Sequence, residues 1–283
     1  MQIFKEKEAL KSTLEGLRSD GKIIGLVPTM GALHEGHFSL VKRAALECDR
    51  VVVSIFVNPT QFDNPEDLEK YPRTLEKDLE LLQQAEENLI VFVPTANELY
   101  GQAVVSEHFN FGGLEKVMEG RYRNGHFDGV GTVIKLLFET IRPHKAFFGE
   151  KDFQQLQIIR KLSENLQLPV EIVGCPILRE DSGLARSSRN ERLSEQHREK
   201  AAFIYQTLLK SRELFGTKSA EYITQWVKEQ FKNHPFLKLE YFEIANTKTL
   251  QTINHKTKGN QYRAFIAAYA GDVRLIDNMP LNN

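Results

Sequence analysis

The 283-residue sequence is poor in cysteine, with only Cys48 and Cys175, and it contains no long apolar run. Two cysteines are too few for a disulfide-rich scaffold, and both lie beside apolar segments, so we expect buried free thiols in a reducing cytoplasm. The longest apolar runs are short, as at 51–57, and none approaches the roughly 18 residues of a membrane span. The N-terminal residues are charged early and contain no apolar signal core, which argues against export.

The sequence also has no charge of one sign in excess. Lys and Arg number 37, Asp and Glu number 38, and the formal net charge is −1. Such a protein has no overall electrostatic attraction to nucleic acid or to an anionic membrane, so we expect neither as a partner. The hydrophobic share of 41% and the charged share of 27% exclude a disordered chain.

Two common nucleotide-binding motifs are missing. Without Gly-x-x-x-x-Gly-Lys-Ser/Thr the protein is not a P-loop kinase or ATPase. Without Gly-x-Gly-x-x-Gly after the first predicted strand, a nicotinamide-dependent oxidoreductase is disfavoured.

The first part of the chain alternates short apolar strands with amphipathic helices. Predicted strands cover 23–27, 51–57, 89–93, 145–149 and 169–174, and predicted helices cover 5–19, 38–48, 75–85, 130–141 and 152–166. This alternation predicts an α/β fold with a doubly wound, Rossmann-like parallel sheet in a domain of residues 1–177.

The rhythm changes after this point. Two helical patterns come first, and strand-like stretches follow at 239–244, 262–269 and 273–278. Helices followed by adjacent strands predict a smaller C-terminal α+β domain, residues 178–283, with an antiparallel sheet.

Polar clusters follow four of the predicted strands, at 28–37, 58–62, 149–155 and 179–190. Ligands of an open parallel sheet bind beyond the carboxyl ends of its strands, so we expect these clusters to carry the chemistry.

The first cluster contains His34 and His37 on either side of Gly36. Their spacing differs from the i, i+4 pattern of two zinc ligands on one helical face, and no third ligand set is evident. A strand-to-helix turn that binds phosphate fits better, because Gly31 and Gly36 permit close backbone approach, helix N-terminal amides favour anions, and imidazoles add donors. The alternative is two ordinary capping or exposed histidines.

Cations dominate a second set of residues. Lys151 lies at a predicted strand-to-helix joint, and the loop 186–189 reads Arg-Ser-Ser-Arg. The Lys and Arg side chains can neutralise phosphate charge, and the Ser hydroxyls can donate to phosphate oxygens. The alternative is a loop exposed to solvent, which is the usual state of such a run of charges. Asp152 suits a magnesium ion, a ribose hydroxyl or an N-cap.

Two amides, Gln61 and Gln155, also follow strands. Each offers two donors and an acceptor, which suits a hydroxy-acid or amino-acid substrate, but also a satisfied polar residue at a domain interface. The polar, proline-containing stretch 63–74 is typical of a mobile lid. The cationic segment 121–127 could bind anions, form part of a subunit interface or face solvent.

Taken together, the motifs resemble a known family. Residues 34–37 resemble the His-x-Gly-His signature of the nucleotidylyltransferase superfamily, and residues 186–189 resemble its second, Lys-Met-Ser-Lys-Ser-like loop. Within that superfamily the resemblance narrows to the pantothenate synthetases (pantoate–β-alanine ligases), carried in order by 27–37, 54–62, 71–74, 148–156 and 187–190.

The resemblance implies an ATP-dependent, AMP-forming carbon–nitrogen ligase. Pantoate and β-alanine would condense to pantothenate through an enzyme-bound pantoyl adenylate, with ATP as substrate, Mg²⁺ as cofactor, and release of AMP and pyrophosphate. It also implies a homodimer whose first domain binds nucleotide and pantoate and whose second domain closes over the active site. Such chemistry needs no nucleophilic side chain, consistent with the lack of a convincing Ser-His-Asp or Cys-His set.

The resemblance further assigns residues. His34, His37 and Lys151 would be catalytic, Gln61 and Gln155 would bind pantoate, Gln61 would also serve β-alanine, and no residue is assigned to a metal. ATP would contact Met30, Gly31, His34, Gly36, His37, Gly149, Glu150, Lys151, Asp152, Leu178, Arg186, Ser187, Ser188 and Arg189.

Two positions depart from the family pattern. Arg186 replaces the usual Met or other apolar residue, and Asn124 replaces a common Pro. Two other hypotheses are a nucleotidylyltransferase that acts on a phosphate ester and a nucleotide-sensing module without turnover. The first of these leaves the Gln61 and Gln155 motifs without a purpose.

Overall fold

The computed structural model describes residues 1–86 and 88–282. The chain forms two compact units. Unit 1 comprises Met1–Glu115, Glu119–Glu150 and Gln155–Pro176. Unit 2 comprises Lys116–Met118, Lys151–Gln154 and the chain from Ile177 onward.

Unit 1 is built on a six-stranded parallel sheet, which confirms the predicted doubly wound α/β fold. The strands are β1 (Gln2–Phe4), β2 (Ile24–Thr29), β3 (Arg50–Ile55), β4 (Leu89–Phe92), β5 (Lys145–Gly149) and β6 (Glu171–Cys175). The helices along this part of the chain are α1 (Lys7–Ser19), α2 (Glu35–Glu47), α3 (Pro65–Lys70), α4 (Leu75–Ala85), α5 (Ala96–Tyr100), α6 (Glu119–Tyr122), α7 (His126–Ile141) and α8 (Phe153–Asn165). The sequence does not predict β1 or the short helices α3, α5 and α6, because three to six residues are too few to show a periodic pattern.

The strand order is β1-β4-β3-β2-β5-β6. The strands β3 and β4 are added on one side of β2, and β5 and β6 are added on its other side, so the strand order reverses between β2 and β5. These two strands are direct neighbours, with Gly25 opposite Lys145 and Leu26 opposite Ala146. In sheets of this kind the crevice beyond the carboxyl ends at such a reversal is where ligands bind. The fold therefore points to the residues after Thr29 and after Gly149.

The central strands of unit 1 are buried in an apolar cluster that also contains α2. Fully buried Val27, Val53 and Val91 belong to one apolar cluster with Val41 and Ala44 of α2. β-Branched side chains suit such strands, since neighbouring residues pack on a pleated surface.

Unit 2 carries the predicted antiparallel sheet. Its helices are α9 (Glu195–Phe215) and α10 (Ala220–Lys232), and its strands are β7 (Leu237–Asn246), β8 (Tyr262–Ala270) and β9 (Val273–Pro280), in the order β7-β8-β9. Ile204, Leu208, Ile223 and Ile266 form part of its core, and the single tryptophan, Trp226, packs against this core.

Both cysteines are free thiols, as predicted, but the prediction that both are buried was wrong for Cys48. Cys175 is buried and Cys48 is half-buried. Burial raises the pKa of each thiol to about 11, so neither is a reactive nucleophile. Among the described residues, no helix has the length and apolar character needed to cross a membrane.

Candidate active site

The turn between β2 and α2, residues 30–37, is called the histidine turn. Its backbone enters the left-handed region twice, with φ of 82° at Gly31 and 50° at Ala32. The Thr29 hydroxyl accepts from the Gly31 N–H at 3.3 Å and donates to the Ser54 carbonyl at 2.8 Å. Buried Leu33 joins the core of unit 1, so the turn is anchored at both ends of this tight bend.

His34 and His37 cap the N-terminus of α2 reciprocally. The Gly36 N–H donates to His34 Nδ1 at 3.1 Å, and the His34 N–H donates to His37 Nδ1 at 3.3 Å. Because each Nδ1 accepts a hydrogen bond, each neutral ring carries its proton on Nε2, which is then a donor. The ring centroids lie 4.1 Å apart, so the two donors are neighbours at a helix N-terminus, where anions are favoured. Capping and a phosphate-binding role are thus compatible.

Asp78 of α4 lies beneath the histidine turn and is buried. Its two carboxyl oxygens accept from the Ala32 N–H at 2.9 Å and the Leu33 N–H at 2.8 Å, and the Thr74 hydroxyl donates to it at 3.1 Å. Asp78 is not among the site residues predicted from the sequence. The available signal was an acidic residue on the apolar face of a predicted helix, three residues after Leu75.

Asn58, Gln61, Tyr100 and His126, called the amide cluster, surround the 3-10 turn Pro59–Gln61 after β3. Asn58 Nδ2 donates to Gln61 Oε1 at 3.1 Å and to the Gly129 carbonyl at 3.1 Å. Asn58 Oδ1 accepts from the Tyr100 hydroxyl at 2.5 Å. Burial raises the pKa of Tyr100, which keeps this hydroxyl protonated as a donor.

The same cluster fixes how Gln61 points. With Oε1 held by Asn58, its Nε2 lies 3.1 Å from Met30 Sδ, beside the end of β2. His126, the first residue of α7, binds the Gln61 carbonyl through Nδ1 at 2.8 Å, and its Nε2 lies 3.1 Å from Arg123 Nη1. Gln61 thus offers amide N–H donors next to the histidine turn.

Gly129 lets α7 approach this closely. A Cβ at this position would lie 2.3 Å from the Thr60 carbonyl oxygen, so any side chain would separate α7 from the 3-10 turn. Gly149, at the carboxyl end of β5, faces open space instead, because a Cβ there would meet nothing within 4 Å. Gln155 lies half-buried at the start of α8.

In unit 2, Lys151 is held through its backbone. Its carbonyl accepts from Asn278 Nδ2 at 2.8 Å, and Arg263 donates to the Asn278 side-chain oxygen. Arg263 also stacks on the Phe153 ring, 4.0 Å from the centroid. The Lys151 ammonium lies 4.0 Å from the carboxyl group of Asp152. Asp152 is exposed, so its side chain is accessible.

Residues 186–189, called the cation segment, lead into a 3-10 helix, Ser188–Arg192. Buried Asn190 anchors the segment: its Nδ2 donates to the Ala185 carbonyl and to Glu180 Oε1, both at 3.1 Å, and its Oδ1 accepts from Ser187 Oγ at 2.6 Å. The Arg186 N–H donates to the Leu178 carbonyl at 3.0 Å, which explains why these two positions are neighbours.

Glu180 balances the cations of this region. It accepts two hydrogen bonds from Arg198, at 2.8 and 3.1 Å, and lies 3.8 Å from Arg186. Burial alone would raise the pKa of Glu180, but the hydrogen bonds from Arg198 and Asn190 outweigh it and hold that pKa below the ordinary 4.5. Arg186, the departure from the family pattern, therefore faces a carboxylate of its own unit.

Comparison with known proteins decides the family. The family model described as pantoate-beta-alanine ligase matches residues 2–280. The chain belongs to the pantoate–β-alanine ligase family. It is 68% identical over 283 residues to the pantothenate synthetase of Christiangramia forsetii, with 100% of both chains covered. It is 52% identical over 281 residues to that of Flavobacterium psychrophilum, covering 99% of this chain and 100% of the relative.

Solved structures of this family match the whole fold. The pantothenate synthetase of Thermus thermophilus has a TM-score of 0.91 at 39% identity, with 100% of both chains covered. The pantoate-β-alanine ligase of Francisella tularensis, complexed with beta-gamma ATP and β-alanine, has a TM-score of 0.82 at 35% identity, covering 100% of this chain and 98% of that one. As the resemblance implied, the protein is an ATP-dependent ligase that condenses pantoate with β-alanine through a pantoyl adenylate.

In each unit, polar residues outside the assigned site set hold candidate site residues in place. Asn58 and His126 orient Gln61, Asn190 orients the cation segment, and Asp78 holds the histidine turn. Asn58 and Asn190 stand inside segments that carried the resemblance, which was the available signal. His126 lies in the cationic segment 121–127, for which the sequence left open a role toward anions, a subunit interface or solvent.

Proposed function

We propose that the histidine turn, the amide cluster, Lys151 and the cation segment carry out the ligase reaction in two steps. In the first, a pantoate carboxylate oxygen attacks the α-phosphorus of ATP, the bond from that phosphorus to the bridging oxygen breaks, and pyrophosphate leaves. Both reactants are anions, so the catalytic task is to hold them together and to stabilise charge on the leaving group.

The proposal rests above all on the paired histidines. Their Nε2 donors stand at a helix N-terminus, beyond the carboxyl end of β2 at the strand-order reversal. His37 donates to the phosphate oxygens as pyrophosphate leaves, and His34 assists it. Lys151 neutralises phosphate charge, which makes these three the catalytic residues.

We assign the remaining nucleotide contacts to small, polar and cationic residues. Gly31, Gly36 and Gly149 allow close approach, and Gly149 faces open space. The full ATP set comprises Met30, Gly31, His34, Gly36, His37, Gly149, Glu150, Lys151, Asp152, Leu178, Arg186, Ser187, Ser188 and Arg189.

Pantoate binds to Gln61 and Gln155. Asn58 orients the Gln61 amide so that its N–H donors suit a carboxylate or hydroxyl oxygen next to Met30. In the second step the β-alanine amine, placed by Gln61, attacks the acyl carbon of pantoyl adenylate. The acyl carbon–oxygen bond to AMP breaks, AMP leaves, and the nitrogen releases a proton to give the amide of pantothenate.

Mg²⁺ enters with ATP in this scheme. The described residues hold no group of three or more His, Cys, Asp or Glu that could bind a metal ion. Mg²⁺ usually keeps water and phosphate oxygens and needs only one or two carboxylates, and the accessible Asp152 fits that need. The ion would neutralise phosphate charge.

The assembly and the compartment follow the family's pattern in our proposal. The protein acts as a homodimer, which is supported by the exposed apolar side chains of Val104 and Val105 in unit 1. It acts in the cytoplasm, which is supported by its two free thiols.

Exchange of labelled pyrophosphate into ATP tests the two-step scheme directly. The protein is incubated with ATP, Mg²⁺ and pantoate but without β-alanine. Pantoate-dependent exchange is expected, because the first step then runs in both directions. Absence of exchange, with AMP released only after β-alanine is added, would argue against a separate reversible first step. No AMP under either condition would refute the ligase activity.

A further inference from the structure

Asp78 is a buried acidic residue with an unusual set of partners. It is 1% exposed, and its three partners are two backbone N–H groups and one hydroxyl. A polar group in the interior is costly unless it is hydrogen-bonded, so these bonds fix both the carboxyl group and the backbone that it binds. Both N–H groups belong to the histidine turn, two and one residues before His34.

The backbone at this point needs such support. Ala32 has a φ of 50°, in the left-handed region that glycine adopts readily. Alanine has a Cβ, so this conformation costs it free energy. Its N–H donates to Asp78 Oδ2 at 2.9 Å, and the next N–H, of Leu33, donates to Oδ1 at 2.8 Å. A carboxyl group that accepts from two successive N–H groups holds their peptide planes in one orientation.

Gly31 makes the approach possible. A Cβ at Gly31 would lie 3.2 Å from Asp78 Oδ2 and 3.3 Å from Ile55 Cγ2, tighter than most Cβ contacts, and its φ of 82° disfavours any side chain. Thr74 completes the arrangement, since its hydroxyl donates to Asp78 Oδ1 at 3.1 Å.

We propose that Asp78 is a positioning residue for adenylate formation: by holding the Ala32 and Leu33 N–H groups, it sets the direction in which the His34 and His37 donors point. The inference rests on the proposed role of these histidines. Because only 1% of its surface is exposed, Asp78 acts through the backbone of the turn. Its effect should fall on the step in which pyrophosphate leaves, because the second step contains no triphosphate for the histidines to stabilise.

The test compares the two half-reactions in the Asp78→Asn variant of the full chain. Asparagine keeps the shape but replaces one acceptor oxygen with an NH₂ group, so one of the two backbone bonds is lost. Pantoate-dependent pyrophosphate exchange should slow about 10- to 100-fold, the effect of small misplacement of a catalytic group. Formation of pantothenate from supplied pantoyl adenylate and β-alanine should stay within about twofold of wild type.

Asp49→Asn is the matched control. Asp49 also accepts a backbone N–H, that of Ile23 at 2.8 Å, but at the amino end of β2. It should leave both half-reactions near wild type. Thr74→Val, which removes only the hydroxyl bond to Asp78, is the second variant, and its exchange should slow about threefold to tenfold with the second step unchanged.

The ratio of the pyrophosphate-exchange rate to the rate of the second step separates a positioning defect from a folding defect. A loss of folded protein lowers both rates equally and leaves this ratio unchanged. Equal losses in both steps, no loss in either, or a loss confined to the second step would each overturn the proposal. The His37→Ala variant distinguishes failure of the Asp78 proposal from failure of the proposed role of the histidines. If His37→Ala slows exchange selectively and Asp78→Asn and Thr74→Val do not, Asp78 has no positioning role; if His37→Ala is not selective, the histidine assignment itself is wrong.

Discussion

The histidine turn of unit 1 and the cation segment of unit 2 prepare phosphate-binding groups by different physical means. The histidine turn presents neutral donors, and its geometry is set by backbone hydrogen bonds to Asp78 and by reciprocal histidine caps. The cation segment presents charge, and its geometry is set by side chains, above all Asn190 and Glu180.

The two regions should therefore lose function in response to different changes. Neutral donors depend on direction, so the histidine turn should fail when its backbone shifts, and it should respond little to salt. Charges act over a longer range and tolerate small displacements, so the cation segment should respond to ionic strength and to loss of its balancing carboxylate. Four predictions test this contrast.

The largest effect is expected from removal of the charge at Lys151. Lys151→Ala should lower kcat/KM for ATP by about 10³-fold or more, because a charge-assisted contact to phosphate is lost. Steady-state kinetics measure it. Lys145→Ala is the control, since Lys145 pairs with Glu47 at 2.8 Å at the other end of β5 and should leave kcat/KM unchanged. An unchanged value for Lys151→Ala would reject its assignment to phosphate.

His37→Ala should lower kcat by about 10²- to 10³-fold, the usual loss for one donor to a transition state. His144→Ala provides the comparison, because His144 Nδ1 likewise accepts a backbone N–H, from Ile24 at 2.9 Å, but at the amino end of β2. Its kcat should remain at the wild-type level. A His37 variant with near-normal kcat would refute the catalytic role.

The contrast also explains what the sequence could predict. Apolar spacing predicted the longer helices, such as α4, and unbroken apolar runs predicted strands such as β3, whereas the short elements β1, α3, α5 and α6 were not predicted. The segments 28–37 and 149–155 were recognisable because the chain concentrates its chemical groups directly after strands. The supports were not recognisable. Asp78 lies 46 residues from the backbone that it binds at Ala32, and only the folded chain brings the two together.

In unit 2, Glu180→Gln tests whether ion pairing stabilises the cation segment. Loss of the charged hydrogen bonds to Arg198 should lower the free energy of unfolding at pH 7 by about 1–3 kcal/mol. Urea unfolding followed by Trp226 fluorescence reports on this unit, whose core the tryptophan contacts. Glu213→Gln is the control, because its partner Lys210 is exposed and the loss should stay below about 0.5 kcal/mol.

The pH dependence of this effect has a defined sign. The pKa of Glu180 is held below the ordinary 4.5, so its contribution is present above that pH and is lost as the pH falls through the folded-state pKa. The stability difference between wild type and Glu180→Gln should therefore narrow below about pH 4.5. A difference that stays constant down to the lowest pH at which the protein folds would show that the carboxylate charge is not the stabilising element.

Ionic strength gives the smallest effect and the most direct test of the contrast. Raising salt from about 0.05 M to about 0.3 M should raise the KM for ATP about two- to fivefold, because screening weakens the attraction between the half-buried cations and the incoming phosphate. Arg189→Ala should reduce this salt dependence. Arg192→Ala, in the same 3-10 helix but 3.5 Å from Asp272, should preserve it, and so should His37→Ala, since a neutral donor contributes no long-range attraction. Equal flattening by His37→Ala and Arg189→Ala would mean that the histidine turn also acts through charge, and the distinction between the two regions would then be wrong.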